Sequence, residues 1–140
     1  MRIKIMKLHP DAIIPKYAHP GDAGMDLYSI EPVVLAPGER KSIPTGIAME
    51  IPDGYVGLIW DKSGLSHRFG LKTLGGVIDS IFRGELQVGV INLSKEPIKF
   101  DKGHKIAQLL IQKIEIAELD ETDEISDSSR GDKGFGSTGK

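Results

Sequence analysis

Residues 46–60 read GIAMEIPDGYVGLIW, two apolar runs separated by Pro52-Asp53-Gly54. An Asp-Gly pair between two apolar runs is a strong hairpin signal, because both residues tolerate the positive φ of tight turns. We therefore predict a strand over 46–51, a hairpin turn and a second strand over 55–60. Both runs are short and end at turn residues, which favours a β fold.

Short runs and turns continue on both sides of this stretch. Seventeen Gly and eight Pro divide the chain into short pieces and leave little room for long helices. One short helix is predicted around 64–69. The four isoleucines of the segment 105–116 favour a strand over a helix. Alternating or β-rich runs predict further strands near 3–7, 32–35, 86–93 and 105–116. Short strands at this spacing predict a jelly roll or a similar barrel.

Composition excludes several classes of protein. The chain has 140 residues, which suits one domain, and 18 Lys+Arg against 20 Asp+Glu give a net charge of −2. That balance argues against a nucleic-acid partner. The absence of cysteine excludes disulfides, thiolate zinc sites and cysteine nucleophiles. Apolar runs are far shorter than the ~20 residues of a membrane span, and no secretory signal is visible. We expect a soluble, cytoplasmic protein.

The composition changes near Glu118. Residues 118–127 are acidic and nearly free of core residues, and a Gly-rich stretch follows to Lys140. Such a segment cannot bury enough apolar surface to order itself alone. We therefore predict a β-barrel domain over 1–117 and a flexible acidic linker with a glycine-rich arm over 118–140.

The arm contains a pattern that fits two phosphate-binding motifs. Residues 134–139 fit G-x-G-x-x-G, and residues 134–140 fit the first positions of a P-loop. Both motifs act through a following helix, and none is predicted here. The hydroxyls, cations and glycine N–H groups of the arm could still wrap an anion, and Phe135 could stack on a planar ring. A plain disordered tail is the alternative interpretation.

Three further segments carry candidate chemistry. Asp79 follows an apolar Gly-Val-Ile run, where partial burial would raise its pKa toward that of a useful base; the alternative is an Asx-turn. Ser63 precedes the short helix and could contact a phosphate or simply cap the helix. Asp26 lies in a Gly-bearing loop and could face a hydrated divalent cation. The four histidines show no metal-ligand spacing.

Taken in order, five segments resemble the five motifs of the trimeric dUTPases (deoxyuridine triphosphate nucleotidohydrolases). They are Asp22-Ala23-Gly24-Met25-Asp26-Leu27, Lys62-Ser63-Gly64-Leu65-Ser66, the stretch 76–85, the stretch 103–109, and Arg130-Gly131 with 134–139. Each motif is weak alone, but the five together are specific and span nearly the whole chain.

The resemblance implies an all-β jelly-roll (β-clip-like) homotrimer with a flexible C-terminal arm. It implies hydrolysis of dUTP to dUMP and pyrophosphate, which keeps uracil out of DNA and supplies dUMP for thymidylate synthesis. Mg²⁺ would lie on the triphosphate, with Asp26 reaching it through water. Asp79 would activate the water that attacks the α-phosphorus. Active sites would lie at subunit interfaces, with the arm exchanged between subunits.

The same resemblance implies the residues that contact dUTP. The phosphates would be contacted by Lys62, Ser63, Gly64, Gln108, Arg130, Ser137 and Thr138. The uracil and deoxyribose would be contacted by a hairpin near Gly75 and Gln87, by Val77, Ile78 and Phe82, and by Phe135 and Gly136 of the arm. A phenyl ring at Phe82 would leave no room for a 2′-hydroxyl, and unpaired polar groups would reject cytosine.

Four positions depart from the family pattern, with Lys at 62 and 105 where Arg is usual, Phe at 82 where Tyr is usual, and Lys at 133 where Gly is usual. Lysine at 62 and 105 keeps the charge of Arg but loses its forked geometry. Phenylalanine at 82 keeps the ring of Tyr but loses its hydroxyl. A dCTP deaminase of the same fold is one alternative, although no matching Glu pattern occurs in 75–84. A catalytically idle nucleotide-binding or regulatory trimer is another, although Asp79 and the arm are present.

Overall fold

A computed structural model describes residues 1–134 of the chain. In this part of the chain, strands dominate and one short helix is present, which confirms the all-β prediction. The elements are β1 Lys4–Lys7, β2 Met25–Tyr28, β3 Val33–Leu35, β4 Arg40–Pro44, β5 Ile47–Glu50, β6 Tyr55–Trp60, α1 Ser63–Phe69, β7 Leu71–Leu74, β8 Val77–Ile78, β9 Gln87–Asn92, β10 Ile98–Phe100 and β11 Lys105–Lys113.

The strands form small antiparallel sheets, as predicted for a jelly roll. Their orders are β1-β5, β10-β3, β2-β11-β6-β8 and β4-β9-β7. In β9 the side chains alternate between exposed or half-buried and buried, because successive residues point to opposite faces. The buried faces meet in one apolar core, whose largest fully buried members are Leu27, Leu35, Ile43, Ile47, Ile51, Leu86, Ile106 and Leu109.

The hairpin predicted over 46–60 is wrong, although its turn exists. The Tyr55 N–H donates to the Pro52 carbonyl at 3.2 Å, and Gly54 has a φ of 76°. However, β5 pairs with β1, whereas β6 pairs with β11 and β8. The turn therefore carries the chain from one sheet to another. The turn residues act locally and fix only the reversal of the chain. The partner of β6 is instead β11, with which it forms a ladder of six residue pairs.

The helix and the last strand agree with the sequence prediction, but the helix cap does not. The residue before α1 is Lys62, whose extended backbone starts the helix without a side-chain capping bond, so Ser63 is not the cap. β11 is a strand and ends at Lys113. The described residues after it, 114–134, form no helix or strand and are exposed. No helix in the described part of the chain is long and apolar enough to cross a membrane.

Candidate active site

One sheet gathers the residues predicted to contact phosphates. On β11, Gln108 pairs with Asp26 of β2 on one side and with Trp60 of β6 on the other. The chain leaves β6 at Trp60 and runs directly into Lys62 and Ser63. Antiparallel pairing therefore brings the first, second and fourth motifs to one place in the fold.

Two cavities flank the second-motif loop, residues 61–66, which leaves β6 and forms the first turn of α1. One, of about 340 Å³, is lined by Ser63, Ser66 and Gln108 among others. The other, of about 430 Å³, is lined by Lys62, Gly64 and Lys105 among others. Hydroxyl and amide donors thus face one side of the loop, and the two ammonium groups face the other.

The side chain of Gln108 is held from two sides. Its Nε2 donates to the Asp61 backbone carbonyl at 2.8 Å. On the other side lies buried Gly24, where a Cβ would come within 2.6 Å of Gln108 Oε1. Only glycine at position 24 leaves the amide this orientation. The second N–H of the Gln108 amide has no acceptor among residues 1–134 and could donate to a ligand.

Asp26 lies between two lysines. Its side chain is 4% exposed, and Oδ1 accepts a hydrogen bond from Lys62 Nζ. Lys105 Nζ lies 2.7 Å from Oδ2. Burial acts to raise the pKa of Asp26, but the two ammonium groups outweigh it and hold the pKa below its usual value. Asp26 in turn raises the pKa of Lys105.

The fit of Asp26 to a hydrated magnesium ion rests on its second oxygen. Oδ2 is buried and lies at ion-pair distance from Lys105 Nζ, and among residues 1–134 no group donates a hydrogen bond of good geometry to it. A metal-bound water could donate to it. Within residues 1–134, no cluster of three or more His, Cys, Asp or Glu could hold a metal alone. These residues fit Mg²⁺ that arrives on a triphosphate and keeps its waters.

Asp79 is exposed and lies in the turn that follows β8. The Phe82 N–H donates to the Asp79 carbonyl at 3.1 Å, so backbone groups close the turn. The ring of Phe82 covers Gly84, where a Cβ would meet the ring at 2.7 Å. Asp79 is exposed in the single chain, so the predicted partial burial is wrong for an isolated subunit. Asp79 is open to solvent or to another copy of the chain.

The hairpin predicted near Gly75 and Gln87 is present, with a long connecting segment. β7 and β9 pair antiparallel from Leu71 with Asn92 to Leu74 with Gly89, while the intervening β8 leaves this sheet and pairs with β6. Gly75 and Gly76 make the change with φ angles of 67° and 101°. Gly75 and Val77 line a cavity of about 150 Å³, while Ile78 is half-buried. Gln87 is exposed on β9, and its Oε1 accepts from the Ser42 hydroxyl at 2.7 Å.

One chain does not bring Asp79 to the phosphate-side residues. Because Ile78 pairs with Gly57, Asp79 lies beside Val56, near the start of β6. Lys62 follows the end of β6, six residues further on. At about 3.3 Å per residue, up to roughly 20 Å of extended chain separates them.

The described part of the arm ends at Gly134. Arg130 is exposed, and its guanidinium donates to the carbonyls of Lys133 at 2.7 Å and Gly134 at 2.9 Å. The predicted contacts of Phe135, Gly136, Ser137 and Thr138 lie outside the described residues.

Sequence reasoning gave no role to Asp61, which directly precedes the second motif. Its carboxylate accepts three hydrogen bonds from Lys72 and Thr73, and its carbonyl accepts the Gln108 amide. It also missed the ion pair of Asp26 with Lys105 and the packing of Gly24 against Gln108. An acid directly after a strand was the only local signal for Asp61, because its partners lie on other strands.

Comparisons with known proteins agree with this arrangement. The dUTPase family model matches residues 10–139. The deoxyuridine 5'-triphosphate nucleotidohydrolase of Thermobifida fusca is 51% identical, over 99% of this chain and 79% of its own length. The protein of the same name from Corynebacterium glutamicum is 48% identical, over 99% of this chain and 95% of its own.

Solved structures extend the likeness to the fold. A dUTPase mutant of Staphylococcus bacteriophage 80alpha, solved with dUpNHpp, superposes with a TM-score of 0.92 at 33% identity, over 99% of this chain and 98% of its own. A mutant dUTPase of S. aureus phage phi11, described with a structural Mg(II) ion, gives 0.84 at 30% identity, over 91% and 100%. The family match, the relatives and the order of the motifs along the fold lead to one conclusion: the chain belongs to the dUTPase family.

Proposed function

We propose that this chain hydrolyses dUTP to dUMP and pyrophosphate. The observation that carries the proposal is the grouping of Ser63, Gln108 and the Lys62–Asp26–Lys105 ion cluster around one loop. Hydroxyl and amide donors with two ammonium groups suit a polyanion. The likeness to a phage dUTPase solved with dUpNHpp supports a deoxyuridine nucleotide as that polyanion.

The proposed chemical step is attack of water on the α-phosphorus. Asp79 accepts a proton from this water while the oxygen of the water bonds to the α-phosphorus. The bond from phosphorus to the α,β-bridging oxygen breaks at the same step. Pyrophosphate then leaves with the electron pair of that bond. The exposed position of Asp79 supports this role, because its carboxylate is open to an incoming water and nucleotide.

Lys62, Ser63, Gly64 and Gln108 would hold the phosphates from the loop side. Ser63 and Gly64 are exposed at the start of α1, and one Gln108 N–H is unpaired within the described part of the chain. Arg130, Ser137 and Thr138 would close over the β- and γ-phosphates, and Phe135 and Gly136 over the base. Asp26 would hold the water shell of Mg²⁺ through Oδ2. When bound, the ion neutralises charge on the triphosphate oxygens.

The base and sugar would lie against the segment 75–87. Backbone groups of Gly75, Val77 and Ile78, together with Gln87, would pair with the edge of uracil. Cytosine presents the reversed pattern of donors and acceptors, and each buried group left unpaired costs about 1–3 kcal/mol. The ring of Phe82, fixed over Gly84, would pack on the deoxyribose and exclude a 2′-hydroxyl.

We infer a homotrimer with active sites between subunits and an exchanged arm. The placement of Asp79 beside the start of β6 and of Lys62 after its end supports this, because up to roughly 20 Å of extended chain separates two residues that would act on one triphosphate. Apolar side chains close to Asp79 in sequence are also exposed, Val77 to 66% and Ile81 to 84%. Clustered exposed apolar residues are typical of subunit interfaces.

One assay tests the activity and the role of Asp79. Pyrophosphate release is measured with dUTP, dCTP, dTTP and UTP, with and without Mg²⁺. We expect turnover of dUTP alone, and Asp79→Asn to lower kcat by about 10²–10⁴ with little change in dUTP affinity. Release from dCTP or UTP at a similar rate would refute the proposed specificity. An Asp79→Asn protein with kcat within threefold of the parent would remove Asp79 from the mechanism.

A further inference from the structure

Asp61 connects the loop of the second motif to a neighbouring strand. Its Oδ1 accepts from the Thr73 backbone N–H at 2.7 Å and from the Thr73 hydroxyl at 2.8 Å. Its Oδ2 accepts from Lys72 Nζ at 2.7 Å. Thr73 lies within β7 and is buried, with 8% exposure, so the carboxylate is fastened to a rigid part of the sheet.

The hydrogen bonds to Thr73 matter more than the ion pair with Lys72. The Lys72 side chain is 44% exposed, and exposed ion pairs contribute little. A carboxylate that accepts from a backbone N–H and a hydroxyl on the same residue is instead fixed in direction as well as position. The orientation of Asp61, including its own peptide groups, therefore follows from β7.

That orientation determines where Gln108 points. The Asp61 carbonyl accepts the Gln108 amide at 2.8 Å, and buried Gly24 closes the opposite side. The residues that follow Asp61 are Lys62, Ser63 and Gly64. Asp61 thus sets the relation of the 62–64 loop to Gln108, two elements that are far apart in sequence.

We propose that Asp61 is a positioning residue that holds the 62–64 loop and the Gln108 amide in the arrangement that receives the triphosphate. The inference rests on the proposed function and extends it to a residue outside the five motifs. Asp61 lines the same cavity as Ser63 and Gln108, but its carboxylate oxygens accept from Lys72 and Thr73, so it acts through the backbone and through Gln108. Its loss therefore weakens binding of the phosphates and leaves binding of the nucleoside unchanged.

The test compares Asp61→Ala with Asp61→Asn. Asparagine keeps an oxygen that accepts from both donors of Thr73 and loses the charge and the Lys72 contact, whereas alanine loses all three side-chain hydrogen bonds and keeps only the backbone carbonyl. We expect Asp61→Ala to raise KM for dUTP about tenfold with kcat within threefold, the pattern of lost uniform binding. Asp61→Asn should stay within threefold of the parent in both constants. Equal losses in the two variants, or a parental KM in Asp61→Ala, would overturn the proposal.

Two inhibitors separate positioning from general damage to the fold. The Ki of inorganic tripolyphosphate should rise with KM in Asp61→Ala, while the Ki of deoxyuridine should not change. A parallel rise in both would assign Asp61 a structural role only and refute the inference. Lys4→Ala, which removes an exposed ion pair with Glu50 between β1 and β5, is the control and should change neither Ki.

Two further measurements keep the inference testable in other circumstances. If Asp61→Ala does not fold, Thr73→Val removes the hydroxyl donor and keeps the N–H, and we expect KM to rise about threefold. A parental KM in that variant would count against the proposal. If the parent does not hydrolyse dUTP, the proposed function fails. Calorimetric binding of tripolyphosphate to the parent and to Asp61→Asn and Asp61→Ala then tests the positioning role without turnover.

Discussion

Replacing Gly24 with alanine tests whether the fixed Gln108 amide matters for activity. The new Cβ would lie 2.6 Å from Gln108 Oε1, 3.0 Å from its Cβ and 3.1 Å from its Cδ. Ordinary contact needs about 3.4 Å, so the amide must move by roughly 0.8 Å. Because the Asp61 carbonyl lies on the opposite side, the amide has no room to move straight back, so the side chain must rotate and the 2.8 Å bond from Nε2 to the Asp61 carbonyl is lost.

Stability and activity should respond differently to Gly24→Ala. The lost hydrogen bond costs about 0.5–1.5 kcal/mol, and the stiffer unfolded chain returns about 0.4–1 kcal/mol, because the backbone at position 24 does not require a positive φ. The melting temperature should therefore hardly change. A hydrogen bond from Gln108 to a charged phosphate contributes about 1.5–3 kcal/mol, so kcat/KM for dUTP should fall about tenfold to 150-fold.

The assay is pyrophosphate release from dUTP beside a thermal melt, with Gln108→Ala as the second arm of a double-mutant cycle. Gly24→Ala acts through Gln108, so it should add almost nothing once Gln108 is alanine. Additive losses, or a loss of less than threefold in Gly24→Ala alone, would refute the reasoning.

Two more predictions concern the ion cluster and the assembly. Asp26→Asn should lower the free energy of unfolding at pH 7 by about 1–3 kcal/mol, toward the lower end because Lys62 is 29% and Lys105 45% exposed and both can rehydrate. The depressed pKa of Asp26 stabilises the fold at pH values above the unfolded pKa of about 3.9, and this contribution is lost as the pH falls through the folded pKa. The difference in unfolding free energy between parent and variant, measured with urea, should therefore close in acid. A difference that persists in acid would contradict the ion-pair account. Co-expressing Asp79→Asn chains with chains truncated after Leu119 should restore activity in about one site in four if the two parts come from different subunits. Background activity in mixed trimers confirmed by mass would count against exchange of the arm.

Local patterns in the sequence predict which segments are strands but not which strands pair. Alternation locates β9, and the isoleucines of 105–116 identify β11, because each pattern reflects one face of one strand. The signal at Pro52-Asp53-Gly54 predicts a turn correctly and its pairing wrongly. Pairing depends on the whole set of strands, and β6 finds its longest partner in β11.

For the candidate site, too, the sequence predicts the residues but not the contacts that orient them. The five motifs direct attention to Asp26, Ser63, Asp79 and Gln108, since each motif is contiguous in sequence. The contacts that orient these residues join distant segments, such as Asp26 with Lys105 and Asp61 with Thr73. The burial predicted for Asp79 also fails in one chain, because a neighbouring copy would have to supply it.

The pairing of β8 with β6 has a consequence for how such an enzyme behaves in a cell. Asp79 and the phosphate-side residues lie at opposite ends of β6, so on the proposed assembly an isolated chain holds two half-sites and no complete one. Specific activity then depends on total chain concentration and declines on dilution, as for any protein whose active state is an oligomer. A molecule that binds the exposed surface beside Asp79 would inactivate the three active sites of the proposed trimer by keeping the subunits apart. Such a molecule need not resemble a nucleotide.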